Sequence, residues 1–240
     1  MKTTSWLYRI KPSVCHQPFV AIDSGYLSNK WEEEPEPNQL RWLPHQIESS
    51  STFVTGLRTL AGAGDATLKT GLAVHIYSAD TSMKDSAFCN SDGDFLVVPQ
   101  QGALDITTEF GKLYVTPGEI VVLPRGVRFA VGVEGPSRGY ICEIFHSHFK
   151  IPDLGPIGAN GLANPRDFLA PVAAYEDRDV DFKLVQKFCG KLFEAKYEHS
   201  VFDVVGWHGN YYPYKYDLSR FNVMNSVSFD HPVRMRVIFS

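Results

Sequence analysis

The run Pro117-Gly-Glu-Ile-Val-Val-Leu-Pro-Arg-Gly-Val-Arg-Phe129 constrains what this chain can fold into more than any other stretch. Its middle, residues 119–123, is apolar and β-branched, which suits a pleated strand, and it is too short for a helix. Gly118 precedes it and Pro124-Arg-Gly126 follows it, so the chain must turn at both ends. Comparable short runs occur at 71–77, 94–98, 104–108, 112–115 and 140–145. Turns rich in Gly, Pro and Asp separate them by about 8–12 residues, the spacing of a sandwich or barrel. Glu109-Phe-Gly111 reads as a hairpin turn between two of them. The expected fold class is therefore all-β, and residues 51–150 are expected to form the barrel.

The same run resembles the second signature of a cupin barrel, Gly-x5-Pro-x-Gly-x2-His, with Phe129 where the metal-binding His belongs. Upstream, Asp94-Phe-Leu-Val-Val-Pro-Gln-Gln-Gly102 resembles the acidic-to-glycine part of the first signature. The His-x-His before it is replaced by Phe88-Cys-Asn90. The resemblance implies a cupin-like jelly-roll sandwich whose usual metal ligands are missing, a degenerate and metal-free barrel. A scaffold of that kind does not by itself supply chemistry.

Around this barrel the reading is plainer. Residues 1–50 are rich in Pro, Trp and charge, and Trp31-Glu-Glu-Glu-Pro-Glu-Pro-Asn38 cannot form regular structure. They read as an extended N-terminal arm anchored by Trp31 and Trp42. Residues 151–175 form a long Gly/Pro-rich loop, of a length and composition often found at functional or interfacial positions. Residues 181–196 fit a strand or a helix. Trp207-His-Gly-Asn-Tyr-Tyr-Pro-Tyr214 reads as an aromatic loop, and Asp217 as the cap of one helical turn. A strand is expected to begin near Phe221.

The formal net charge is −4 and basic residues do not cluster, so no stripe exists to neutralise phosphates and no nucleic-acid partner is expected. No apolar run approaches the roughly 20 residues that cross a bilayer, and Arg9 and Lys11 interrupt any leader-like core, so no membrane partner is expected. Four scattered cysteines without a CxxC pair read as free thiols in a reducing compartment. The expected location is cytoplasmic.

Candidate chemistry centres on histidines. Cys142, His146 and His148 are expected on one strand, where period-two alternation puts them on the same face and they could hold zinc or iron. His75 lies in an apolar strand and reads as buried and hydrogen-bonded. Ser91-Asp-Gly-Asp94 reads as a turn, with too few oxygens for calcium. His208 is ringed by aromatics and amides, the lining of a site for an aromatic ligand. His231 is a candidate general base, because an imidazole titrates near neutrality.

Several longer runs occur together and in order: Ser5-Trp-Leu-Tyr-Arg-Ile10, Pro37-Asn-Gln-Leu-Arg-Trp42, Gly62-Ala-Gly-Asp65, Asn90-Ser-Asp-Gly-Asp94, the glycine-rich run from Leu154 to Leu169, Trp207-His-Gly-Asn-Tyr211 and Asn225-Ser-Val-Ser-Phe-Asp-His231. Over about residues 5–231 the chain thereby resembles the homogentisate 1,2-dioxygenase family. That resemblance implies ring cleavage of homogentisate by O2 to maleylacetoacetate, in tyrosine and phenylalanine breakdown. It implies a non-haem Fe(II) held by two His and one Glu, and trimers that pair into hexamers. It assigns His231 as the general base and places Ser226 near the substrate. The family's iron ligands follow the Phe-Asp-His segment and fall beyond residue 240, so no metal ligand and no bound iron are expected within this chain. Residues 151–231 are then expected to be the Gly-rich loop and a linker into the catalytic domain. Residues 232–240 form a tail that departs from the family pattern. The expectation is a truncated chain, inactive alone; the alternative is a metal-free cupin module for binding or assembly.

Overall fold

A computed structural model describes residues 3–31, 37–39, 41, 43–152 and 163–221. Its first strands are β1 (Ser5–Arg9), β2 (Val20–Ala21), β3 (Leu57–Asp65), β4 (Thr70–Ala79) and β5 (Ser86–Asn90). Next come β6 (Asp94–Gln101), β7 (Leu104–Thr108), β8 (Gly111–Val115), β9 (Glu119–Leu123), β10 (Arg128–Gly132) and β11 (Ser137–Ile144). The last are β12 (Asp179–Phe188), β13 (Lys191–His199), β14 (Val204–Gly209) and β15 (Tyr214–Asp217). Single 3-10 turns occupy Pro165–Asp167 and Leu218–Arg220, the latter capped by the Asp217 side chain as expected.

The strands form a six-stranded sheet in the order β15-β9-β6-β11-β4-β3 and a seven-stranded sheet in the order β2-β13-β12-β5-β10-β7-β8. Within them, β4-β11-β6-β9 faces β5-β10-β7-β8. This is the strand order of an eight-stranded jelly roll, so the all-β expectation holds. Period-two alternation turns one side of strands such as β11 inward, where Ser137, Gly139, Ile141 and Glu143 are buried while Tyr140 is exposed.

Both ends of β9 turn as the sequence requires. Glu119 N–H donates to Thr116 O at 3.0 Å across a Pro-Gly turn, with Gly118 at φ 95°. After Pro124 the chain turns again, with Gly126 at φ 84° and its N–H donating 2.7 Å to Asn90 O. The two signature segments are thus hydrogen-bonded to each other.

Strands from 179–217 extend both sheets beyond residue 150, and β12 lies parallel to β5. β12 and β13 continue the seven-stranded sheet and share its outer apolar face, where Val201, Phe202 and Phe19 join the cluster. Ala87, Cys89 and Ala130 pack there against Phe182, Leu184 and Tyr197. That is why β5 is apolar on both faces and shows no alternation.

The arm is anchored at several described points, among them the pairing of β2 with β13. Trp31 Nε1 donates 2.8 Å to Gly64 O, over the bare backbone of Gly62. β1 pairs with β14, and Arg9 joins Glu109 and Asp203 in a half-buried ion cluster. Trp42 lies outside the described residues, as does the strand expected after Phe221.

Between the two jelly-roll sheets the core is aromatic. Phe129 sits edge-on to Phe88 (5.6 Å between centroids) and to Phe53 (5.8 Å), and Phe88 stacks on Phe95 at 6.1 Å. Phe129→Ala should lower the unfolding free energy by about 3–5 kcal/mol in urea melts. Truncating the exposed Val14 should change it by less than about 0.5 kcal/mol. Equal, small losses at both positions would show that these rings do not carry the core.

Candidate functional site

The barrel interior is where a metal would sit if the signature ligands were present. Phe88 and Phe129, at two of those positions, are fully buried and fill the space with rings. Asn90, at a third, is also buried; its Nδ2 donates 2.7 Å to Glu143 Oε1. Asp94, at the acidic position, accepts from Arg125 N–H (2.9 Å) and Phe149 N–H (3.2 Å), and pairs with His148 Nδ1 at 3.0 Å. Phenyl rings donate no lone pair, so these positions do not fit a metal ion. No group of three or more His, Cys, Asp or Glu suited to a metal occurs among the described residues.

Beside the rings lies a buried polar cluster. His75 Nε2 meets Glu143 Oε2 at 2.9 Å, and His75 Nδ1 meets Thr59 Oγ1 at 3.0 Å. From β12, Lys187 Nζ donates to Glu143 Oε1 (2.8 Å), Glu143 Oε2 (3.0 Å) and Asp92 Oδ2 (3.0 Å). Asp92 in turn accepts from Cys189 N–H (2.6 Å) and Gly190 N–H (2.8 Å). Burial by itself would push the Glu143 carboxyl up. The Lys187 charge and the His75 hydrogen bond outweigh it and hold the group at about 2. A buried carboxylate without such partners would be neutral or would destabilise the fold. The sequence reading found His75 buried and bonded but missed Glu143 and Lys187. The signal for Glu143 was present, since alternation places this charge between inward-facing Ile141 and Phe145.

The other candidates separate. β11 ends at Ile144 and Ser147 takes φ 63°, so Cys142, His146 and His148 do not share a strand face. The chain leaves the pleat before the histidines. His148 instead joins a knot at the barrel rim, its ring 5.0 Å from Tyr211 and edge-on to it. The Tyr211 hydroxyl donates 2.7 Å to Arg125 O, and burial first, then Asp94, pushes its phenol up.

Residues 207–209 belong to a strand and not to an aromatic loop. His208 is exposed and stacks on Trp6 at 6.1 Å across the β1–β14 ribbon. Asp92 and Asp94 do lie at a turn, yet each is bonded to a cationic side chain. His231, Ser226 and residues 153–162 of the glycine-rich loop lie outside the described residues.

A jelly roll with the cupin strand order, and with rings at two of the signature's ligand positions, defines a cupin-type domain. Solved structures that resemble it include a cupin superfamily protein from Desulfitobacterium hafniense (15% identity, TM-score 0.35, over 48% of this chain and 98% of that one). At that level of likeness, the strand order carries the fold assignment. The family description "Homogentisate 1,2-dioxygenase N-terminal" matches residues 1–218. Curated relatives named homogentisate 1,2-dioxygenase include those of Dictyostelium discoideum (62% identical over 230 residues), Drosophila melanogaster (61% over 234) and Homo sapiens (58% over 234). Each alignment covers 95% of this chain and 53% of the relative. The chain belongs to the homogentisate 1,2-dioxygenase family and spans about half the length of the curated relatives it matches. No helix among the described residues is long and apolar enough to cross a membrane.

The polar cluster predicts a pH dependence. The ordinary value for Glu143 is 4.5 and the folded value lies below it. Its stabilising contribution is therefore complete above the unfolded pKa and is lost as pH falls from about 4.5 toward 2. The gap in unfolding free energy between the parent chain and Glu143→Gln should shrink across that window. A constant gap there would mean that the carboxyl is not ionised in the folded protein.

Proposed function

We propose that this chain forms the wall-building portion of an Fe(II)-dependent ring-cleaving dioxygenase that opens homogentisate with O2 to maleylacetoacetate. The observation that carries this division of roles is the occupation of the barrel's ligand positions by Phe88 and Phe129, in a chain of this family. Iron would supply the site at which oxygen and the ring meet, and its two His and one Glu are assigned to family residues outside this barrel.

Within this chain, His231 is the residue proposed to take the phenol proton, which makes the ring electron-rich. Ser226 is proposed to lie near the substrate. The described residues do three other things: they fix the sheets, exclude water from the barrel interior, and present the rim knot of Asp94, Arg125, His148 and Tyr211. Assembly into trimers that pair into hexamers, and a cytoplasmic location in keeping with four free thiols, belong to the same reading.

The chain as given is proposed to be inactive. Purified, supplied anaerobically with Fe(II), and then mixed with homogentisate and oxygen, it should retain well under one iron per chain and consume no oxygen. Turnover, or stoichiometric iron that survives desalting, would overturn the division of roles. Light scattering on the same sample reads the assembly directly: a trimer or hexamer is expected, and a monomer at all concentrations would remove that part of the reading.

A further inference from the structure

Lys187 reaches the barrel from outside its eight strands. β12 runs parallel to β5 with Lys187 in register with Asn90, the residue at the signature's second imidazole position. The side chain passes inward until its ammonium lies 5.5 Å from the Phe145 ring, and the residue is 1% exposed. An ammonium has three N–H donors, and three acceptor contacts meet it, two from Glu143 and one from Asp92.

The acceptors are also held by groups other than the lysine. Asn90 Nδ2 and His75 Nε2 fix Glu143, while Cys189 N–H and Gly190 N–H fix Asp92. Cation centres share this arrangement, in which outer partners orient the groups that touch the ion.

We infer that Glu143 and Asp92, braced by Asn90 and His75, form a cation-binding site whose resident cation is the chain's own Lys187 ammonium. The ligand class is a primary ammonium ion. The acceptors stand 2.8–3.0 Å from the nitrogen, which is hydrogen-bond distance. A transition metal would need them drawn in to about 2.0–2.2 Å. Removing the lysine side chain beyond Cβ leaves room for propylammonium, which restores the missing atoms. The inference does not depend on the ring-cleaving role.

The test uses the 240-residue chain carrying Lys187→Ala. Its Tm should fall by on the order of 10 °C, since one buried partner of an ion pair has been removed. Titration with propylammonium chloride should raise the Tm saturably. Tetramethylammonium chloride, sodium chloride and manganese chloride at the same ionic strength should not. Lys187→Met fills the space without the charge and should not respond to the amine. If Lys187→Ala is recovered only unfolded, refolding from urea in each salt reads the same quantity, with folded protein expected in propylammonium alone. The inference is overturned by equal recovery in all salts or in none, by a response to manganese alone, or by an unchanged Tm in Lys187→Ala.

Discussion

The edge-on contact of Phe129 with Phe88 and Phe53 is the interaction on which the rest of the structure depends. These rings come from strands of one jelly-roll sheet and from the segment preceding β3, and they close the space between the sheets. Aromatic pairs at these separations add to the apolar area they remove from water. With that space filled by carbon, the barrel needs no ion to hold its strands together. Its surviving polar positions are pushed to the rim or into self-sufficient clusters.

The clusters follow from the same constraint. In a dry interior a lone charge costs several kcal/mol, so each inward-facing acid must be met by donors. Glu143 has Asn90, His75 and Lys187; Asp92 has two backbone N–H groups and the same lysine. Lys187 arrives on β12, a strand outside the jelly roll. The later strands are thereby tied electrostatically to the barrel as well as by the β5–β12 ladder. The register between those strands is pinned, because a slip of one residue would turn the ammonium out of the cage and leave both carboxylates short of a partner.

Much of the jelly roll could be read from the chain. β7 and β9 begin and end as expected, because Gly and Pro punctuate them; β7 also alternates regularly, whereas β9 is an apolar run. β5 was not anticipated: Ala87, Phe88 and Cys89 are apolar in succession since both faces of that strand are covered. β14 was read as a loop because Gly206 and Gly209 flank its aromatics, whereas its partner β1 lies some two hundred positions earlier and leaves no local trace. The departure from the metal-ligand pattern is legible at Phe88, Asn90 and Phe129. The cation that stands beside them is not, since a lysine in a mixed strand carries no mark of burial until the strand's neighbours are known. The expected grouping of Cys142, His146 and His148 failed at Ser147, where one left-handed residue redirects the backbone.

The pairing of β1 with β14 also bears on synthesis of the protein. Ser5 has its partner at Gly209, so β1 cannot pair until β14, about two hundred residues later in the chain, has been made. Joining ends so far apart carries a loop-closure entropy that the nearer hairpins do not face. Those hairpins can form while the leading segment is still unpaired. The exposed rings of Trp6 and Tyr8 therefore wait for a neighbouring strand while the residues between are made, a period in which holding proteins have most to protect.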